Sequence, residues 1–326
     1  MEAHSTYGVT SRPTKSRCKA RIAPEAAARR HGSSAAERLV RRISIRGRTR
    51  VCRCGRIGTP FSPLREGHCA HSEEGHCART LYLSRMDSVA LCADTTAGWH
   101  TSWLTALGLR SERRDRVWRA LDSPPFIYWT AITLAPDVSS SVVCDVRGTI
   151  CDSWSCLDLG QSVFQKRDRE GFAERALEPW FLRPAKELPS EDAPYELEVV
   201  HVSTPAEVAE FESVSVRGFG GEDGFVERGA LHPPSILTDT RMTMLTGRIG
   251  GNPIGAAMCY RGDEAIGIYG VTTLPSARGR GYASALTRAL IDPATPVVLS
   301  PSIEAQNLYR RLGFEEVGML TQWHHP

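Results

Sequence analysis

No run of apolar residues approaches the roughly 20 that a helix needs to cross a bilayer, and no apolar core follows the basic N-terminal residues as a secretory leader requires. Both absences point to a soluble, cytoplasmic protein. Clustered cations are missing from most of the chain. Residues 1–85 carry 18 Lys and Arg against 6 Asp and Glu, a net +12, and since the whole chain is +3 the remainder is −9. A nucleic-acid surface needs Lys and Arg in clusters to displace phosphate counterions, so residues 86–326 are not expected to contact nucleic acid. Only the Arg-rich start keeps that option, with an affinity that would fall steeply with salt. Of the ten cysteines five lie in residues 1–85, and Cys259 is the only one beyond residue 190, so no disulfide framework holds the C-terminal part.

With 326 residues the chain is long enough for two domains. Residues 1–85 show no sustained helical or strand period beyond RIAPEAAARR and AAERLVRR, and read as a disordered extension. Globular patterning begins at Met86, which makes that methionine an alternative start. The same segment holds Cys52, Cys54, Cys69, His71, His76 and Cys77, with EGHCA occurring twice. Their C-x-C and C-x-H spacing is an awkward match to a tetrahedral zinc site, which favours composition over a metal centre. An Arg-rich, acid-poor start also imitates a transit peptide, against which Glu25 and Glu37 count.

From residue 86 to 189 the pattern predicts an N-terminal α/β domain: a helix through Trp99 and Trp103, a second from Arg113 to Leu121, and strands in FIYWTAITLAP, Thr149 to Trp154 and Glu178 to Arg183. Trp118, Trp129, Trp154 and Trp180 could line a ligand cage, although large aromatics at such spacing more often pack a core. KELPSEDAP reads as a linker. From 190 to 326 the order is regular: strand YELEVVHV, a helix opening on Thr204 with Pro205 and Glu207 in a capping box, and a Gly- and Pro-rich loop from Gly220 to Pro234. Three strands, RMTMLTGRI, PIGAAMCYR and AIGIYGVTTL, then form a meander. A helix from about Tyr282 to Ile291, strand PVVLS, a helix from Ser302 to Leu312 and strand FEEVGMLTQW complete a mixed α/β unit.

One stretch carries chemistry. In VTTLPSARGRGYASALTRAL a strand runs through an Arg- and Gly-rich turn straight into an amphipathic helix. First-turn amides lack intrahelical partners and the helix dipole is positive there, so this is an anion site. Gly279 and Gly281 let the backbone approach a phosphate, and Arg278 and Arg280 add charge. The spacing is neither G-x-G-x-x-G nor a GK[ST] ending, which disfavours dinucleotide and P-loop sites.

That stretch resembles the acetyl-CoA motif of the GCN5-related N-acetyltransferase superfamily, in which Gln or Arg, two residues, Gly, one residue and Gly or Ala follow in order; Arg278, Gly281 and Ala283 fill those places. SIEAQNLYRRLGFEEVG, from Ser302 to Gly318, resembles the helix that the family places after its fifth strand. The resemblance covers residues 195 to 326, and EPWFLRPA suggests more faintly a two-part member whose N-terminal half is a degenerate copy. It implies an α/β fold around a mixed sheet and transfer of an acetyl group from acetyl-CoA to an amine of a small molecule or peptide, without a metal. Val271, Thr272 and Thr273 would meet the pantetheine arm, and Arg278, Gly279, Arg280, Gly281, Tyr282 and Ala283 the diphosphate. Ser302 stands where relatives have asparagine, a shorter reach toward CoA, or else serves as a helix N-cap. Tyr309 would give a proton to the leaving thiolate, which suits a phenol with an ordinary pKa of about 10.

The strand AIGIYGVTT lacks the carboxylate that some relatives use as a base; Glu264, just before it, is the nearest acid, with a water chain on Thr272 the alternative. The acceptor is expected between the loop bearing His232 and the groove beside Tyr309, and a homodimer is possible. The family's last strand has no counterpart after QWHHP, so either the N-terminal half completes the sheet or its edge is exposed. A catalytically silent acyl-CoA-binding module is the competing reading.

Overall fold

The computed structural model describes residues 85–159 and 173–325. The Cys and His constellation and the Arg-rich extension up to residue 84 lie outside the described residues. The first helix, α1 (Arg85–Ala106), is buried nearly all round: between Ser88 and Leu104 only Asp94 is exposed. A helix covered on every side belongs to a core, and this one is enclosed by a curved sheet whose strands β1, β3, β5, β8, β9, β10 and β11, bounded below, all touch it.

The expected helix from Arg113 to Leu121 is instead a hairpin, β1 (Ser111–Arg114) and β2 (Val117–Ala120). Asp115 and Arg116 turn it with φ of 51° and 62°, the two left-handed residues of a tight turn whose twist suits a strand pair. Arg, Glu, Ala and Leu favour a helix locally; long-range pairing overrides them, and Trp118 is sealed against α1 with its indole N–H on Thr101 Oγ1 at 2.9 Å. The strand expected across FIYWTAITLAP shrinks to β3 (Ala131–Thr133), because Tyr128 is spent in a turn and reaches the Leu231 carbonyl with its hydroxyl at 2.7 Å. β4 (Gly148–Asp152) and β5 (Ala173–Arg183) follow.

In the C-terminal part β6 (Glu198–His201) leads to α2 (Pro205–Gly220), which begins with the expected reciprocal bonds between Thr204 and Glu207. β7 (Met242–Ile249), β8 (Asn252–Arg261) and β9 (Ile266–Thr273) form the meander. α3 (Tyr282–Leu290), β10 (Val297–Leu299), α4 (Gln306–Arg311) and β11 (Glu315–His325) complete the chain.

All eleven strands form one mixed sheet in the order β1-β2-β3-β4-β11-β5-β10-β9-β8-β7-β6. The order is nearly palindromic. β1, β2 and β3 form an antiparallel meander and β3 runs parallel to β4; β7, β8 and β9 form a second meander and β9 runs parallel to β10. The strand that follows each parallel pair crosses to the other half: β5 lies beside β10, and β11 beside β4. β5 and β11 pair with each other at the centre of the pseudo-twofold arrangement. The N-terminal half therefore completes the sheet, and β11 is no edge.

Alternate residues of this sheet feed two cores. On one face α1 and α2 cover Trp180, Leu182, Met244, Met258 and Val298; on the other α3 and α4 cover Phe181, Leu245, Ile268, Val297 and Leu299. Trp118 and Trp180 are sealed in the first face and Trp129 and Trp154 pack against it, so the four tryptophans sit in one core beneath α1.

Close approach of α1 to the sheet depends on Gly98, where a Cβ would stand 2.6 Å from the Tyr260 ring. Gly98→Ala is expected to lower stability by about 1–3 kcal/mol, as overpacking against a rigid ring does, even though alanine is the better helix former by about 1 kcal/mol. Denaturant unfolding of the two proteins measures the difference.

Candidate active site

The site begins where β9 leaves its neighbours. On the β8 side, Ala256 pairs with Thr272 and Met258 with Tyr269, so Gly270 and Val271 oppose Ala257 alone; this is a β-bulge, with Gly270 at φ 61°. On the β10 side pairing stops after Ile266–Val297 and Gly267–Val298. Beyond Gly267 the strands part, and the end of β9 offers backbone groups along the gap. Val271 is half-buried on the α3–α4 face; Thr272 packs its Oγ1 over Gly218 of α2, and Thr273 is buried.

From Thr273 the chain passes through a short 3-10 turn (Pro275–Ala277) into the Arg-Gly-Arg-Gly loop. Gly279 and Gly281 have φ of 79° and 81°, a conformation that costs other residues roughly 1–2 kcal/mol. Open space surrounds Gly279 where a side chain would be, and Gly281 meets only Pro194 Cγ at 3.5 Å. Gly281 caps α3 without a side chain, so nothing local covers the first-turn amides. Among the described residues the amides of Gly279, Arg280 and Gly281 find no acceptor. These N–H groups and the positive end of α3 form an anion-binding concavity.

The two arginines do different things. Arg278 donates from Nη2 to the Gly218 carbonyl at 2.6 Å and from Nε to the Thr273 carbonyl at 3.4 Å, tying the loop to the end of α2. Arg280 is exposed and lies near Glu196 and Tyr282. The Tyr282 hydroxyl donates to Glu196 Oε1 at 2.7 Å, which holds the carboxyl below its usual range, while the phenol is held above its own. Tyr282 thus anchors the segment before β6 and Ala283 is half-buried. The stretch expected as a linker runs along α3: Glu191 accepts from Ser284 Oγ at 2.9 Å and lies 3.7 Å from Arg288.

Tyr309 is buried on α4, edge-on to Phe314 at 5.6 Å, with its phenol near the side chain of Thr287 on α3. Burial pushes its phenol far above the ordinary value, so it stays protonated throughout the neutral range. The two sequence motifs therefore share one face of the sheet and touch. Ser302 is exposed at the start of a 3-10 turn (Ile303–Ala305) that precedes α4; its hydroxyl makes no capping bond.

Two expectations fall away. Glu264 is exposed in the turn at the start of β9, whereas the loop leaves from its end; eight residues of strand, about 3.3 Å each, separate the two. His232 is neither exposed nor in a cleft. It is wedged edge-on between Trp103 at 4.8 Å and Phe211 at 5.3 Å, neither ring nitrogen has a partner among the described residues, and burial depresses its pKa to about 3. Its loop is fixed by buried Glu212, which accepts from the amides of Gly229, Leu231 and His232.

A carboxylate that sequence reasoning passed over stands near the gap. Glu178 lies on β5 and accepts from Ser300 Oγ, just past the end of β10, at 3.3 Å. Only the crossing of β5 into the other half brings it there, a pairing with no local signature.

Residues 215–314 match the model of the Acetyltransferase (GNAT) family. No curated protein matches the chain. Among solved structures, a GCN5-related N-acetyltransferase from Kribbella flavida is 17% identical with a TM-score of 0.47, over 71% of this chain and 95% of that one. A putative GNAT acetyltransferase from Novosphingobium aromaticivorans is 18% identical with a TM-score of 0.45, over 73% and 99%. Among the described residues, no helix is long and apolar enough to cross a membrane and no group of His, Cys, Asp or Glu has the arrangement of a metal site.

The different roles of the arginines can be separated. Arg278→Ala is expected to destabilise the fold by about 1 kcal/mol through loss of two carbonyl partners. Arg280→Ala is expected to change the melting temperature little and to weaken, without abolishing, the stabilisation given by inorganic pyrophosphate, since the backbone amides remain. Thermal melts with and without pyrophosphate read both.

Proposed function

We propose, from the match of residues 215–314 to the acetyltransferase (GNAT) family model, that the protein is a cytoplasmic N-acetyltransferase that moves an acetyl group from acetyl-CoA to an amine of a small molecule or peptide. The observation that carries this reading is the contact between α4 and α3: the open amides of residues 279–281 start the helix whose Thr287 meets the Tyr309 phenol. The donor set fits the co-substrate. Neutral amides on left-handed glycines together with Arg280 suit a pyrophosphate, and the unpaired side of β9 suits an extended amide-bearing arm. Acetyl-CoA supplies the activated thioester.

The chain's own residues supply position and a proton. Anchoring the pyrophosphate and the arm at fixed points holds the thioester against the acceptor, and orientation of two reactants contributes several kcal/mol toward the barrier. Tyr309 keeps a proton for the departing thiolate at any pH below its raised pKa. The reaction goes by direct attack, with both substrates bound together.

Two measurements test the reading. Incubation with acetyl-CoA and a panel of primary amines is expected to release free thiol in an amine-dependent way, and acetyl-CoA binding without turnover for any amine would favour a silent acyl-CoA-binding module. Tyr309→Phe is expected to lower kcat by about 10²-fold or more while leaving acetyl-CoA binding within twofold. Because the Tyr309 phenol titrates well above pH 10, no alkaline loss of activity below that pH is expected from this residue.

A further inference from the structure

Pairing of β9 with β10 ends after Gly267–Val298, and residues on the two faces of the sheet flank that point differently. Tyr309 lies on the face covered by α3 and α4. Glu178 lies on the opposite one: Trp180 and Leu182 of β5 pack in the core beneath α1, Phe181 in the other core, and side chains alternate along a strand. Val298 of β10 also faces α1, which puts Ser300 on the same side. The last β5–β10 pair is Phe181–Leu299, so Ser300 and Glu178 flank the mouth that β10 leaves open. The Glu178 carboxylate is half-buried between Ser300 and the Gln322 side chain of β11, and among the described residues no cation pairs with it.

We propose that Glu178, carried by β5 from the N-terminal half, accepts the proton of the acceptor ammonium, with Ser300 positioning its carboxylate. The proposal rests on the acetyltransferase reading above and supplies the base that β9 lacks. Glu178 takes one proton from the ammonium; the freed lone pair forms the C–N bond at the thioester carbonyl as the C–S bond breaks. The thiolate takes the Tyr309 proton. Nitrogen sheds a second proton, which restores Tyr309 by way of solvent, and Glu178 returns its own to solvent. The amide, the free thiol and one net proton result. Burial holds the Glu178 carboxyl above the usual carboxylate range, partly offset by the bonds from Ser300 and Gln322, so it is a better proton acceptor than an exposed glutamate. Its titratable neighbours are the Cys151 thiol of β4, which burial pushes far up, and beyond it Asp152 and, from α1, Cys92; none of these side chains can carry positive charge.

The experiment is the pH–rate profile of thiol release by the full chain. For Glu178→Gln, kcat/KM at pH 7 is expected to fall at least 10²-fold and to recover as the pH approaches the amine's own pKa, with acetyl-CoA affinity unchanged. For Ser300→Ala, loss of a donor to the charged form is expected to move the acidic limb to higher pH by up to about one unit. This second variant keeps the carboxylate and stands as the test should Glu178→Gln fail to fold. Undiminished thiol release by Glu178→Gln, or an acidic limb unmoved in Ser300→Ala, overturns the assignment of the base and leaves the transferase reading standing. Absence of thiol release by the unaltered chain overturns both.

Discussion

The antiparallel pairing of β5 with β11 is the constraint on which the rest of the molecule depends. Each strand belongs by sequence to one half and by hydrogen bonding to the other, so neither half owns a complete sheet. A strand left unpaired at the centre would expose a row of backbone donors and acceptors to a core that has no water to satisfy them. The exchange also fixes α1. Enclosed by strands of both halves and nearly free of exposed side chains, that helix has no surface of its own on which to stand.

The site follows from how the same sheet fails to pair. β9 keeps β10 for only two residues, and its bulge at Gly270 turns the remainder aside. What would be a defect in an ordinary strand becomes a slot because an anion-binding loop starts directly at its end. Two left-handed glycines place the amides there, and Arg278 is taken up by the carbonyls of Gly218 and Thr273, which locks the loop against α2 and leaves Arg280, beside Glu196 and Tyr282, as its exposed cation. Placement of the charge is thus a matter of backbone conformation first and of side chains second.

Much of this was legible in the residues. The capping box at Thr204, the meander, the Arg-Gly-Arg-Gly turn into a helix and the second motif ending in Leu312-Gly313-Phe314 are local patterns, and local patterns survive folding when the tertiary structure agrees with them. Failures have a common cause. The hairpin at Asp115–Arg116 reads as helix in the sequence because its propensities are helical, and only its pairing with β3 and the packing of Trp118 against α1 hold it as a strand pair. Glu264 was chosen by nearness along the chain, where nearness along an extended strand means distance in space. His232 looked like a loop residue; the loop is pinned inward by Glu212, which sits on a different element. Glu178 could not be found at all from sequence, because its place at the gap is set by a strand exchange.

The near-palindrome of the sheet poses a question of its own: two parallel strand pairs, yet one anion loop. The connection from β9 to β10 contains Gly279 and Gly281 and starts a nine-residue helix; that from β3 to β4, residues 134–147, has no glycine, carries Asp137 and Asp145, and forms only a three-residue 3-10 turn. Without left-handed residues the second connection cannot turn successive amides inward, and without a helix it has no dipole to present. The N-terminal half therefore repeats the strand pairing of the other half without its anion loop, and what it contributes passes across the centre: β5 beside β10, α1 packed against strands of both halves, and the Glu178 carboxylate just beyond the end of β10.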